Sequence, residues 1–247
     1  MRRLGIISCQ VFEWELAHIL DKRRDIDNIY ILNTPENKGF AQCLNNHKAK
    51  LIRDPYFLPR LSRTLDVLVN ILPIGLHIDI DELEYECNEN INTFKECASR
   101  VLLLYGLCGN ALKNIIHRED VDLLYPRDSE GLVDDCICSI LGRERYFEEL
   151  KRNGSFFMIP GMVNHRDGMV GRIEERVSRA YSDEDTKLLL QVNEYERALI
   201  VEEGIETDDY LRRAHLLANN FGLAIERTAG DLSLLEDTID NALSSMD

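Results

Sequence analysis

Residues 101–112 read VLLLYGLCGNAL, and this stretch decides the fold. The four aliphatic residues at its start predict a strand buried on both faces, which is typical of parallel sheets. Gly106 and Gly109 then bracket Cys108, and residues 111–116 have a helix-like pattern. A strand, a glycine-bounded turn and a helix place Cys108 just past the carboxyl end of a central strand, where open α/β sheets bind their ligands.

Predicted strands and helices alternate through most of the chain. The other apolar runs that predict strands are at 4–8, 28–32, 65–72, 121–125, 155–159, 198–201 and 223–226. This alternation predicts an α/β protein with a mostly parallel sheet and helices on both faces, a Rossmann-like three-layer fold. We expect one α/β domain over residues 1–247, formed either as a single body or as two lobes.

The segment 34–65 is the least regular part of the sequence. It contains Pro35, Gly39, Pro55 and Pro59 together with a local excess of Lys and Arg. We interpret it as an inserted, partly helical excursion after the second strand. Such a segment either packs on the domain or acts as a lid over it, and packing is the commoner role.

The composition limits the classes of partner. The formal net charge of −15 argues against nucleic acid and against an anionic membrane surface, because phosphate binding needs clustered Lys and Arg. No apolar run reaches about 18 residues, so we expect no membrane span. The N-terminus lacks the long apolar core of a signal peptide. The sequence has seven cysteines, an odd number that cannot all be paired in disulfides within the chain. We therefore expect a cytoplasmic protein with free thiols.

Three cysteines and one histidine share a type of position. Cys9, Cys108 and Cys136 each lie near a predicted helix start that follows a strand, and His77 lies at a strand exit. Parallel strands would bring all four to one edge of the sheet. Thiolates at helix N-termini have a lowered pKa and bind soft or borderline metals. Three thiolates with an imidazole suit zinc, whereas three thiolates with an open position suit a catalytic metal or an iron–sulfur cluster.

Simpler interpretations of these residues remain open. A free cysteine is often a small apolar core residue, and the sequence has no CxxC pair or HExxH motif to mark a local metal site. Cys138, two residues after Cys136 on a predicted helix, is expected in the core. Cys108 and His77 could also form a nucleophilic pair, since a glycine-flanked cysteine at a helix start is well exposed. His165 is the remaining histidine that most merits inspection.

The turn offers a further, metal-free possibility. Gly106, Gly109 and Asn110, followed by a helix N-terminus, predict a cradle for a small anion or a cofactor. The same turn is not GxGxxG, and no Walker lysine follows it. A dinucleotide or nucleoside triphosphate site therefore has little support.

Four segments carry a resemblance to a known family: 6–16 (IISCQVFEWEL), 75–77 (GLH), 105–110 (YGLCGN) and 135–137 (DCI). Together they resemble the family catalogued as domain of unknown function 1638. The pattern of that family is a Cys after the first strand, a Gly-Leu-His segment, a YGxCG turn and a basic loop that runs into Asp-Cys. The resemblance covers about residues 3–162 and, more weakly, the tail.

The family resemblance also implies a biochemical setting. Members occur in methanogens and anaerobic bacteria, often beside corrinoid-dependent methyl-transfer systems. Many members carry a His immediately before Asp-Cys, where this chain has Asp134. If that His is a ligand elsewhere in the family, His77 or Asp134 would take its place here.

These observations lead to one main expectation. We expect a metal- or metallocofactor-binding protein that supports methyl or one-carbon transfer, which implies a zinc-dependent or corrinoid-linked methyltransferase. The expected cofactor is zinc, with an iron–sulfur cluster or a corrinoid as alternatives. The expected partner is a small-molecule substrate or a corrinoid protein.

Two other classes of function stand beside this expectation. One is a metal-free module that binds a small anion or another ligand at the turn. The other is a non-enzymatic accessory protein whose acidic surface docks a basic partner during cofactor delivery or assembly.

Overall fold

Two parallel sheets organise the chain. The computed structural model describes residues 2–45, 48–59, 64–108, 110–152, 154–177, 182–244 and 246. The larger sheet has the strand order β3–β2–β4–β1–β5–β6, and all neighbouring strands in it are parallel. Its strands are β1 (Arg3–Cys9), β2 (Asn28–Leu32), β3 (Ala49–Ile52), β4 (Asp66–Leu72), β5 (Arg100–Leu104) and β6 (Leu123–Leu124).

The centre of the larger sheet is buried on both faces. Every residue of β1 and of β4 is buried, and so are the last four residues of β5. β4 and β5 pair with opposite sides of β1, so that Ser8 lies opposite both Ile71 and Leu104. Strands in this position need apolar side chains in both directions, which explains their continuous aliphatic runs. The predicted α/β class and the predicted central strand are confirmed.

Four helices belong to the larger sheet: α1 (Glu13–Lys22), α2 (Asn37–Cys43), α3 (Ile80–Cys97) and α10 (Ser233–Ser244). We call this sheet with its helices the first lobe. α3 approaches β1 where the strand has no side chain: a Cβ added at Gly5 would lie 2.7 Å from Phe94 Cδ2. The helix begins after Asp79, whose carboxylate accepts hydrogen bonds from the backbone N–H groups of Asp81 and Glu82.

The second lobe is built on a smaller sheet with the strand order β11–β10–β9, again parallel. Its elements are β9 (Ser155–Met158), α6 (Pro160–Asn164), α7 (Arg166–Val177), α8 (Asp183–Val192), β10 (Arg197–Glu202), α9 (Asp208–Phe221) and β11 (Ala224–Ala229). It has its own apolar core, to which Met158, Tyr210 and Phe221 contribute. Across the described part of the chain, no helix has the length and apolar character needed to cross a membrane.

The segment between the lobes is irregular. A short antiparallel hairpin of β7 (Arg127–Asp128) and β8 (Gly131–Leu132) leads into α4 (Cys138–Leu141) and α5 (Arg143–Lys151). The sequence after Asp135 favours one helix that runs through Ile140 to Leu150, with Gly142 as its weak point. The structure divides it there, because Gly142 adopts a φ of 76° that interrupts the helical path.

The helix predicted at 111–116 is wrong. Among the described residues after the central strand, 110–114 form turns and Ile115–His117 form a single 3₁₀ turn. Cys108 and Asn110 have φ values of 47° and 70°, which a continuous α-helix cannot contain. Contacts with a distant segment, described below, hold the backbone at Leu107 and Cys108.

The segment 34–65, predicted to be an insertion or a lid, contains α2 and β3. β3 pairs with β2 and forms the outer edge of the larger sheet. Lys50 and Leu51 on this strand are exposed, as expected for a short, charged edge strand. The excursion therefore contributes one strand to the sheet layer.

Candidate functional site

The carboxyl ends of the central strands deliver the candidate side chains. Cys9 is the last residue of β1, Cys108 follows β5, and His77 lies in the 3₁₀ turn that follows β4. Cys136 comes from the irregular segment before α4. The structure places all four at one cavity of about 410 Å³. Parallel strands make this possible because their carboxyl ends meet at the same edge of the sheet.

The three thiols are close neighbours. The Cys9 thiol interacts with that of Cys136, and the Cys136 thiol interacts with that of Cys108. Cys9 and Cys136 are buried, whereas Cys108 is half-buried. The interaction with Cys136 and then burial raise the pKa of Cys9 well above its ordinary value. The interaction with Cys108, together with burial, similarly raises the pKa of Cys136. Both thiols are therefore protonated at neutral pH in this structure.

Several donors face the sulfurs and favour the thiolate form. The backbone N–H of Val11 favours the thiolate form of Cys9, and the backbone N–H of Gly106 favours that of Cys136. These interactions lower the two pKa values but are outweighed by burial and by the neighbouring thiols. The protein thus provides backbone N–H groups that can stabilise a buried thiolate.

Tyr105 is a buried polar neighbour of the thiols that the sequence did not single out. Its side chain lies among four cysteines, and burial and then their charge raise its pKa well above its ordinary value. The hydroxyl has no conventional hydrogen-bond partner among the described residues, yet its interaction with Cys9 favours the Cys9 thiolate. A thiolate at Cys9 would give this hydroxyl the acceptor that it lacks.

A clamp between two segments brings Cys108 and Cys136 together. The backbone N–H groups of Leu107 and Cys108 donate to the carbonyl oxygens of Val133 and Asp134, each at 2.9 Å. These bonds hold the turn after β5 against the start of the α4 region. They also satisfy two backbone N–H groups of the turn.

The described residues of the predicted anion cradle do not line the cavity. Gly106 packs against the Asp135 backbone, Asn110 is exposed, and neither is among the described residues that line the cavity. Gly109 lies outside the described residues. Because the predicted helix at 111–116 is replaced by turns, the helix N-terminus invoked for anion binding does not form there.

Asp135 and Tyr146 complete the floor of the cavity. The Tyr146 hydroxyl donates to Asp135 Oδ2 at 2.5 Å, and the backbone N–H of Cys138 donates to Asp135 Oδ1 at 2.8 Å. Asp135 thus accepts a hydrogen bond from the first residue of α4. Removal from water raises the pKa of Asp135, although its hydrogen bonds oppose this. Tyr146 gives no signal in the sequence, since only folding brings α5 to this position.

His77 lies at the mouth of the cavity. Part of the residue is exposed, but the surrounding protein displaces water from the ring and lowers its pKa. The charge of Asp135 acts in the opposite direction and is the smaller effect. His77 is therefore a neutral imidazole at neutral pH, the form that can accept a proton or bind a metal.

The walls of the cavity come from both lobes and are largely apolar. Val11, Ile74 and Ile137 belong to the first lobe side, and Phe157, Met162 and Tyr195 belong to the second lobe. No Lys or Arg is among the described lining residues. The nearby Arg143 donates instead to Asp128 at 2.8 Å and to Asp134 at 2.9 Å. The site therefore combines soft sulfur donors and the carboxyl group of Asp135 with a largely apolar wall.

The other cysteine and histidine residues of interest lie outside the cavity. Cys138, Cys87 and Cys97 are buried in the core of the first lobe, as predicted for Cys138. His165 Nε2 contacts Glu13 Oε1 at 2.5 Å, away from the cavity. Among the described residues, no group of three or more His, Cys, Asp or Glu side chains is arranged as a ready-made metal site.

Fold and site together define a class: a two-lobed α/β protein with a thiol-lined cavity between the carboxyl edge of one parallel sheet and the second lobe. A family model described as "Protein of unknown function (DUF1638)" matches residues 71–239, more than half of the chain. The chain belongs to this family, which confirms the resemblance. The match includes the segments of His77, Cys108 and Cys136 and reaches across the second lobe. No curated protein and no solved structure matches the chain.

Proposed function

We propose that Cys9, Cys108 and Cys136, with His77 at the mouth of the cavity, bind a thiophilic metal ion or a metal-bearing cofactor. Zinc is the first candidate, and an iron–sulfur cluster or a corrinoid is the alternative. The observation that supports this proposal is the meeting of three neighbouring thiols, from three separate segments, at the wall of one cavity. Cysteines that serve only as packing have no need to meet at the wall of a cavity.

The chemistry of the donor set fits such a metal. Thiolates are preferred ligands of zinc and of iron–sulfur clusters, and an imidazole is a common fourth zinc ligand. The N–H groups of Val11 and Gly106 and the Tyr105 hydroxyl would support the thiolates from behind. Because the pKa values of Cys9 and Cys136 are raised, metal binding requires the release of their protons.

We further propose methyl or one-carbon transfer as the reaction, with a small-molecule substrate in the cavity or a corrinoid protein as the partner. A zinc ion bound to the thiolates would act as a Lewis acid that activates a thiol substrate. The apolar walls would bind the body of the substrate and exclude water. His77 is neutral and would accept the proton that the substrate loses, and the carboxyl group of Asp135 lies in the same cavity.

Elemental analysis of protein purified without oxygen tests the metal proposal. We expect about one zinc, or a few irons, per chain in the wild type and a loss of that metal in Cys108→Ser. Cys43→Ser is the matched control, because Cys43 is a half-buried thiol that does not line the cavity. A folded wild-type protein without metal, or unchanged metal in folded Cys108→Ser, would contradict the proposal.

A metal-free ligand-binding protein is the second candidate, and the apolar cavity between the lobes favours it. Its ligand would be a small molecule with an apolar body, because the described lining residues include no Lys or Arg to pair with an anion. Thermal stabilisation by such a molecule that persists after treatment with a chelator would support this second candidate over the first.

A further inference from the structure

We propose that Glu15 and Glu203 form a proton-binding site at the junction of the two lobes, and that the bound proton holds the second lobe against α1. Glu15 lies on α1 and is 0% exposed. Glu203 follows β10 directly, and both of its carboxyl oxygens are shielded from solvent. This inference is independent of the metal proposal.

The contact between the two carboxyl groups requires a proton. The side chains of Glu15 and Glu203 interact directly with each other. No donor from another residue in the described part of the chain reaches any of their four oxygens. Two ionised carboxylates in such a contact repel each other strongly, whereas a carboxylic acid donates to a carboxylate or to a second carboxylic acid. A pair that holds at least one proton satisfies both groups.

Acidic neighbours surround the pair. Glu13 lies on the same helix as Glu15, and Glu206 lies in the loop of Glu203; both add negative charge. Tyr210 of α9 also faces Glu203, Glu206 and Glu15. On the α2 side, the thiol of Cys43 faces Glu13, Glu15 and Asp21. Burial first, and then the charges of the neighbouring glutamates, raise the pKa of both Glu15 and Glu203 far above the ordinary value.

The basic groups nearby are engaged elsewhere. Arg227 acts on Tyr210 but forms an ion pair with Glu202 at 2.8 Å. His165 contacts Glu13, and the carboxylate of Glu206 accepts hydrogen bonds from the backbone N–H groups of Glu203 and Gly204. The charge of the Glu15–Glu203 pair is therefore balanced by a proton rather than by a cationic side chain.

The sign of the pH effect follows from the raised pKa values. A carboxyl group that is neutral in the folded protein stabilises the folded state fully below the ordinary Glu pKa of 4.5. That contribution is lost as the pH rises through the pKa of the folded protein. Alkaline pH therefore weakens the junction between the lobes. β10 pairs with β9, which contributes Phe157 to the cavity wall, so the junction also supports that wall.

Trp14 reports on this junction. It is the only tryptophan of the chain, lies next to Glu15 in sequence, and packs against the core of the second lobe. We would record its fluorescence between pH 5 and 11 in the wild type, in Glu15→Gln and in Glu203→Gln, because the pair loses its last proton only as the pH approaches the Glu203 pKa of about 11. A glutamine side chain has nearly the same shape as a neutral glutamic acid side chain, but it does not ionise in this pH range. Glu236→Gln, an exposed position on α10, is the matched control.

The expected result is a reversible red shift of the Trp14 emission as the pH rises, present in the wild type and in Glu236→Gln and lost in both pair variants. The same variants should lose the alkaline fall in melting temperature that the wild type shows. A wild-type emission that does not change with pH, or the same shift in the pair variants, would overturn the proposal. So would a failure of both pair variants to fold, because an amide reproduces the neutral pair.

Discussion

Gly106 lies so close to Asp135 that a Cβ added at position 106 would stand 2.2 Å from the Asp135 carbonyl carbon. No side chain fits in that space. This approach of two backbones, one from the turn after β5 and one from the segment before α4, is what brings Cys108 next to Cys136.

Gly106→Ala should separate these two segments. Overpacking of this kind costs about 1–3 kcal/mol of unfolding free energy, and the contact with backbone atoms leaves little room for relaxation. Urea denaturation followed by circular dichroism measures the loss. Gly171→Ala is the control, because nothing lies within 4 Å of its added Cβ and alanine favours the helix α7. Equal stability of both variants would mean that the backbones separate freely.

The variant Tyr105→Phe distinguishes the contribution of the Tyr105 ring to packing from the contribution of its hydroxyl to the Cys9 thiolate. The metal-free protein should keep its stability or gain about 1 kcal/mol, because the buried hydroxyl has no conventional partner among the described residues. Metal affinity should fall by roughly 10–100-fold, since a donor behind the Cys9 thiolate is lost. Denaturation without metal and a chelator competition with zinc measure the two effects. A clear loss of stability in the metal-free variant would show that the hydroxyl already has a strong partner there.

Zinc affinity should rise with pH. The raised pKa values of Cys9 and Cys136 mean that a metal must displace thiol protons, and each proton released makes binding about ten-fold tighter per pH unit. Competition with a zinc chelator at pH 6.5 and pH 7.5 measures the slope. Cys108→Ser should reduce both the affinity and the slope, whereas an affinity that is the same at both pH values would show that the thiols are not ligands.

Tyr146→Phe should weaken the floor of the cavity. The variant removes the donor to Asp135 Oδ2, a bond to a charged group whose loss costs about 1.5–3 kcal/mol. The loss should become smaller at acid pH, where the raised pKa of Asp135 allows its carboxyl group to be protonated. Tyr85→Phe is the control, because Tyr85 is 62% exposed. Similar denaturation midpoints for the two variants at pH 7 would contradict this assignment.

Local patterns were sufficient to predict the layers of the fold. The continuous aliphatic runs of β1, β4 and β5 identify strands that are buried on both faces, and the alternation with helices selects parallel pairing. The interruption at Gly142 was also visible, since glycine is the residue that most readily adopts its φ of 76°. The common position of Cys9, Cys108 and His77 after strands followed from the same pattern.

Contacts between distant residues decided the rest. The sequence alone determined an α/β protein with thiols at the ends of its strands, because strand burial and helix periodicity are properties of short segments. The tertiary structure decided that the turn at Cys108 is clamped to Asp134, because a hydrogen bond between residues 26 positions apart depends on how the two segments pack. It likewise decided that Asp135 meets Tyr146 and that Glu15 meets Glu203. Such pairs depend on how the helices and strands pack, and no spacing in the sequence predicts them.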